Sequence, residues 1–177
     1  MIMRSPFIGS RMFGPLALAA ALVFEFTASA SKLSAQQVGF ALEDSSTALA
    51  LCDEADDLSG DQRQQILMRG LELAERAVAA DPYDAKAHFA VFCNLGKQVQ
   101  SHGPRPRDVI VVRRLKRELE AALALAPDDP DLLAAKGVLL LALPWFLGGD
   151  ARQGEELLHA TLVKDPDNAV ARRYLSK

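Results

Sequence analysis

Aromatic residues are scarce in this 177-residue chain, at 6%, with one tryptophan and two tyrosines. Sheets fill their pleated faces with aromatic and β-branched side chains. No segment here alternates apolar and polar residues between turn signals, so a sandwich or barrel is excluded. Histidines are few as well (His88, His102 and His159), and the only cysteines are Cys52 and Cys93. No two of them have metal-ligand spacing, and neither CxxC nor HExxH occurs. Cys93 and His88 are a poor nucleophile–base pair, because their spacing on one helix turns the side chains to different faces. No cofactor motif is present, and nothing supports an enzyme. The formal net charge is only −3, which argues against nucleic acid as a partner.

What the chain does contain is one phrase in three copies: AERAVAADPYDAKAH, ELEAALALAPDDPDLL and LLHATLVKDPDNAVAR. Aligned on Pro82, Pro127 and Pro166, they share small residues five positions earlier: Ala77, Ala122 and Thr161. Three positions before those stand Ala74, Leu119 and Leu158, and four earlier again Gly70, Leu115 and Gly154. The prolines are spaced by 45 and 39 positions, the length of a helix pair with its turns. Such a unit cannot bury its apolar stripe alone, so neighbouring units must stack. The fold class this implies is all-α, a right-handed stack of antiparallel helix pairs with six or seven helices.

Residues 1–30 differ in composition. Arg4 and Arg11 precede an apolar stretch from Met12 to Phe26, and Ala28-Ser29-Ala30 is a small-x-small cleavage pattern. The stretch is short for a membrane span, and Glu25 falls late in it. The expectation is a cleaved export signal, with a retained anchor as the alternative, then a flexible tail over 31–40 and a helical domain over 41–177. Export would carry the product to the periplasm or outside the cell, with no stable membrane span left after cleavage. It would also place Cys52 and Cys93 in an oxidising space. Each falls on the first helix of a pair, so a bridge is geometrically open to them; the plainer reading is two small buried hydrophobes.

The helices are expected at about Val38–Leu58, Gln62–Ala80, Asp84–Gln100, Arg107–Ala126, Pro130–Leu143, up to Lys164 from a cap at Asp150, and Asn168–Ser176. Asp61 is the expected N-cap of the second. Asp129-Pro130 opens the fifth, a cap residue followed by a proline in the first turn. That helix, with LLAAKGVLLLAL, is apolar almost all round and should be buried on most sides. Asp150 and Gln153 form a capping-box-like pair. A loop is expected from Ser101 to Pro106.

These positions resemble the tetratricopeptide repeat family. The second-helix register is matched by Gly70/Ala74/Ala77/Pro82, Leu115/Leu119/Ala122/Pro127 and Gly154/Leu158/Thr161/Pro166. In the first helices, His88, Val91, Phe92 and Leu95 depart from the family pattern, whereas Leu133, Lys136, Gly137 and Leu140 fit better, with Gly137 on the close-packing glycine. Units here exceed the family's usual length through inserted loops. From Leu71 onward the chain is similar to exported bacterial proteins with LP-x-x-LGGD, here Leu143 to Asp150. It is also similar to the helical domain of regulator-of-microtubule-dynamics proteins and to the periplasmic tetratricopeptide component associated with some TRAP transporters. The resemblance implies a scaffold that binds a peptide or helix of another protein in a concave groove. Lys86, Phe89, Cys93 and Lys97 would face the groove from one helix, and Asp131, Ala134, Val138 and Leu141 from the next. An accessory ligand-binding role in a periplasmic transport system is the alternative. Oligomeric state is not legible.

Other features have plainer readings. His88 should be a packed core residue. The acids Asp53, Glu54, Asp56 and Asp57 lack the glycine and oxygen spacing of a calcium loop and read as a solvated helix end. The basic run Arg105, Arg107, Arg113, Arg114, Lys116 and Arg117 reads as a solvated face with salt pairs, and docking of an acidic or phosphate-bearing partner is the sharper reading. Trp145 and Phe146 are expected to fold back as a plug between helices, the alternative being an exposed contact point. Gly148 and Gly149 should permit a turn.

Overall fold

The three proline turns have one geometry. Each preceding helix ends as its C-cap amide returns to the carbonyl four residues back: Asp81 to Ala77, Ala126 to Ala122, Asp165 to Thr161. The next turn closes with Asp84 to Asp81, Asp129 to Ala126 and Asn168 to Asp165. Then a side-chain oxygen caps the following helix: Asp84 accepts from Lys86 N, Asp129 from Asp131 N and Leu132 N, and Asn168 from Ala171 N. Proline cannot donate and disfavours helix at the residue before it, which stops one helix; the short polar side chain then satisfies the free amides of the next.

A computed structural model describes residues 39–102 and 108–176, the side chain of His102 excepted. The proposed export signal, most of the tail, Arg105, Arg107 and the core of the 101–106 loop lie outside the described residues. Among those described there are helices and no strand. In chain order they are α1 (39–54), α2 (Gly60–Ala80), α3 (Ala85–His102), α4 (Asp108–Leu125), α5 (Pro130–Ala142), a 3-10 turn (Trp145–Leu147), α6 (Ala151–Lys164) and α7 (Ala169–Leu175). No helix among them is long and apolar enough to cross a membrane. Gly39 and Phe40, where the expected tail and the expected first helix overlap, are helical, as is Ser101, expected in the loop.

Consecutive helices pack as hairpins, α2 on α3, α3 on α4 and α5 on α6. The aligned repeat positions are those the fold buries: Gly70, Ala74 and Ala77 in α2, Leu115, Leu119 and Ala122 in α4, Gly154, Leu158 and Thr161 in α6. Helical spacing puts each set on one face, and that face packs on the helices before and after it. Gly137 and Gly154 mark the closest crossing: a Cβ on Gly137 would stand 2.9 Å from the Gly154 carbonyl oxygen, and one on Gly154 2.8 Å from that of Gly137.

α5 is apolar all round because two clusters claim its opposite sides. Leu132 and Ala135 pack with Leu119 and Ala122, while Ala134 packs with Leu158 and Ala171. The end of α5 runs into a turn in which Gly148 takes a left-handed φ of 86°, a conformation costly for other residues. Asp150 caps α6 by accepting from Gln153 N at 3.0 Å. The reciprocal half of the capping box is absent, since the Asp150 amide donates to Leu140 O across the turn. Asp61 does not cap α2 either: Ser59 holds the cap position without a side-chain bond, and Asp61 sits in the first turn, where its charge suits the helix dipole.

Candidate interaction surface

Contacts beyond the hairpins link helices that are not consecutive. α1 joins α3 through the Cys52–Cys93 disulfide (Cα–Cα 6.2 Å) and through Asn94, whose side-chain amide donates to Ala48 O at 2.9 Å. Phe89 and Phe92 of α3, stacked at 6.2 Å, lie against a cluster built by Leu119 and Ala122 of α4 with Leu132 and Ala135 of α5. α5 joins α7 through Ala134 and Ala171, and through Asn168 Nδ2 donating to Asp131 Oδ1 at 2.8 Å.

Along this line the residues expected in the groove have distinct surroundings. Lys86 and Asp131 are exposed. Phe89 and Cys93 are half-buried, one in the aromatic stack and the other in the disulfide. Ala134 is fully buried, and Val138 and Leu141 pack against the Leu158–Ala171 cluster beside Tyr174 and Leu175. Ala134, Val138 and Leu141 therefore face the chain's own α6 and α7, Lys86 and Asp131 stay accessible, and Lys97 is drawn inward, its side chain 18% exposed.

Lys97 belongs to a charged network centred on Asp56, in the turn that ends α1. Lys97 Nζ lies 2.8 Å from the Asp56 carboxylate, Arg173 of α7 3.4 Å and Arg63 of α2 3.8 Å. Lys97 also donates to Cys52 O at 2.7 Å, and Arg63 to Ala55 O and to Ser101 Oγ. Partial burial pushes the Asp56 carboxyl up, but hydrogen bonds and charge from Lys97, and then Arg173, outweigh it and hold the group below the usual carboxylate range. Asp56 thus leaves the solvated acidic end read from sequence. The sequence carried no sign of this, because its partners lie on three other helices.

His88 spans α3 and α4: Nδ1 contacts Glu118 Oε2 at 2.8 Å and Nε2 the Pro82 carbonyl at 3.0 Å. His159 is exposed. Among the described residues no three His, Cys, Asp or Glu side chains group as metal ligands. In the basic run, Arg114 pairs with Glu75 and Glu118, while Arg113, Lys116 and Arg117 have no carboxylate partner among the described residues. Trp145 and Phe146 are not a plug. They are 83% and 67% exposed, edge to face at 5.9 Å. The 3-10 turn points them away from the clusters that Leu139 and Leu141 fill just before it.

No family model, curated protein or solved structure matches this chain.

Proposed function

We propose that this chain is an exported, non-enzymatic helical-repeat module of tetratricopeptide type that holds a peptide or helix of another protein along the face formed by α3 and α5. What supports this reading is the link of α1 to α3 through Cys52–Cys93 and Asn94 and of α5 to α7 through Asn168, with Phe89 and Phe92 of α3 on a cluster that includes Leu132 of α5; in such a stack the first helices would make one extended surface. On it exposed Lys86 stands one turn from Phe89, so a bound segment would lay an apolar side chain on the Phe89 ring with an acidic group beside Lys86. Asp131, on α5, adds the opposite charge and would set the segment's direction.

A photo-crosslinking residue at position 86 tests this in cells that make the protein. Position 86 should give a discrete crosslinked partner, identified by mass spectrometry, and position 152 on α6 should not. Crosslinking equally strong from both positions, or none from position 86, would count against the groove.

A further inference from the structure

Two aromatic rings side by side in water are the opposite of what packing alone selects, and such patches mark contact surfaces. Phe146 and Leu147 form one wall of a hollow of about 360 Å³; Val109, Val112, Arg113 and Lys116 of α4 form the other, with Gly148 between. Trp145 stands beside it, and Ile110, on α4, is 76% exposed. Lys116 lies across the turn, its Nζ 3.5 Å from Leu147 O. Among the described residues no carboxylate lines the hollow. The chain as a whole is acidic, with a net charge of −3, yet this hollow combines an apolar floor with a cationic rim left unneutralised.

We propose that the hollow between α4 and the Trp145–Leu147 turn is a second docking site, which takes an acidic segment of another protein. The segment inserts an apolar side chain between Phe146 and α4, and its carboxylates meet Arg113 and Lys116, with Arg117 one turn on. Charge complementarity decides the occupant. The chain's own apolar leader, with Arg4 and Arg11 against the single Glu25, carries the wrong sign. A flat bilayer surface does not fill a concave site. This surface shares no residue with the α3–α5 face and stands whether or not that face binds anything.

Trp145 is the only tryptophan, so its fluorescence reports on this patch alone. The full chain is titrated with a synthetic amphipathic peptide carrying leucines at helical spacing between glutamates, with the same peptide bearing lysines for glutamates, and with phosphatidylglycerol vesicles. The glutamate peptide should shift Trp145 emission to shorter wavelength saturably, and the lysine peptide should not. The R113E/K116E double variant should lose about tenfold or more in affinity with its circular dichroism unchanged; if it loses helicity, R113E alone carries the same expectation. Four results would each overturn the proposal: no shift with the glutamate peptide, equal shifts with both peptides, a shift with vesicles but not peptide, or a concentration-dependent shift with nothing added, which would mean self-association.

Discussion

The side-chain oxygen of Asn94 occupies the place where Gly70 would carry a Cβ. Asn94 is fully buried, and its amide nitrogen donates to Ala48 O and Ala90 O, both at 2.9 Å, tying α1 to α3. Its oxygen has no hydrogen-bond partner. It faces a Gly70 Cα–H instead, a weak donor that fits because nothing larger does.

Gly70→Ala should therefore destabilise the fold although alanine favours helix. Propensity contributes about 1 kcal/mol in favour. Overpacking costs roughly 1–3 kcal/mol, and turning the Asn94 amide away loses two buried hydrogen bonds at about 1 kcal/mol each. The expected net is a loss of about 2–4 kcal/mol, or several degrees or more in Tm at about 2–4 °C per kcal/mol. In an Asn94→Ala background the same change should cost less, because the overlap has gone. Gly39→Ala, with nothing within 4 Å, should be neutral or slightly stabilising by the same thermal scan.

Gly137 and Gly154 face one another's carbonyl oxygens, so a Cβ on either would overlap the backbone of the other helix. Gly137→Ala and Gly154→Ala should each destabilise by about 1–3 kcal/mol. The double variant should cost less than the sum, because the first methyl already separates the helices. Urea unfolding of the three variants measures this; strict additivity would mean that the two glycines do not share one contact.

The Cys52–Cys93 bridge spans 41 positions. Chain-entropy reasoning for a loop of that size gives a stabilisation of about 4 kcal/mol. Reductant, or Cys52→Ser with Cys93→Ser, should lower the urea midpoint accordingly, and thiol titration of the unfolded, unreduced protein should find no free thiol. Two reactive thiols in the oxidised product would show the bridge does not form.

Asp56 has a folded-state pKa below its unfolded value, so its contribution is present above about pH 4 and is lost as pH falls through the lower folded value. Its side chain is 36% exposed, so solvent screening holds the effect to under about 1 kcal/mol. Asp56→Asn should flatten part of the acid limb of the stability–pH profile, and added salt should reduce the difference. Exposed Asp128, held low by Lys164, acts in the same direction; Asp56→Asn leaves its share in place. An unchanged acid limb in Asp56→Asn would show that the network contributes nothing.

Much of the fold was legible from the sequence, and for local reasons. Asp129 and Asn168 cap their helices where the residues following Pro127 and Pro166 announce a turn. Burial at Ala77, Ala122 and Thr161 follows the register of three aligned prolines. The site was legible only in part. Lys86 and Asp131 stand exposed as their register implied, but Val138 and Leu141 turn to α6 and α7. Trp145 and Phe146, hydrophobic enough to suggest a plug, lie in water because the 3-10 turn aims them outward. Asp56 looked like one more acid in a solvated run.

Taken by itself, the sequence determined where helices start and stop and which face of each is apolar. Those signals act within a turn or two of chain: a missing proline donor, a capping carboxylate, a 3.6-residue stripe. Only the tertiary structure decided which polar groups are joined and which apolar groups are left in water. The Arg173–Asp56 contact bridges 117 positions and Asn94 reaches Ala48 across 46. Such pairs form only when helices packed for other reasons bring them together.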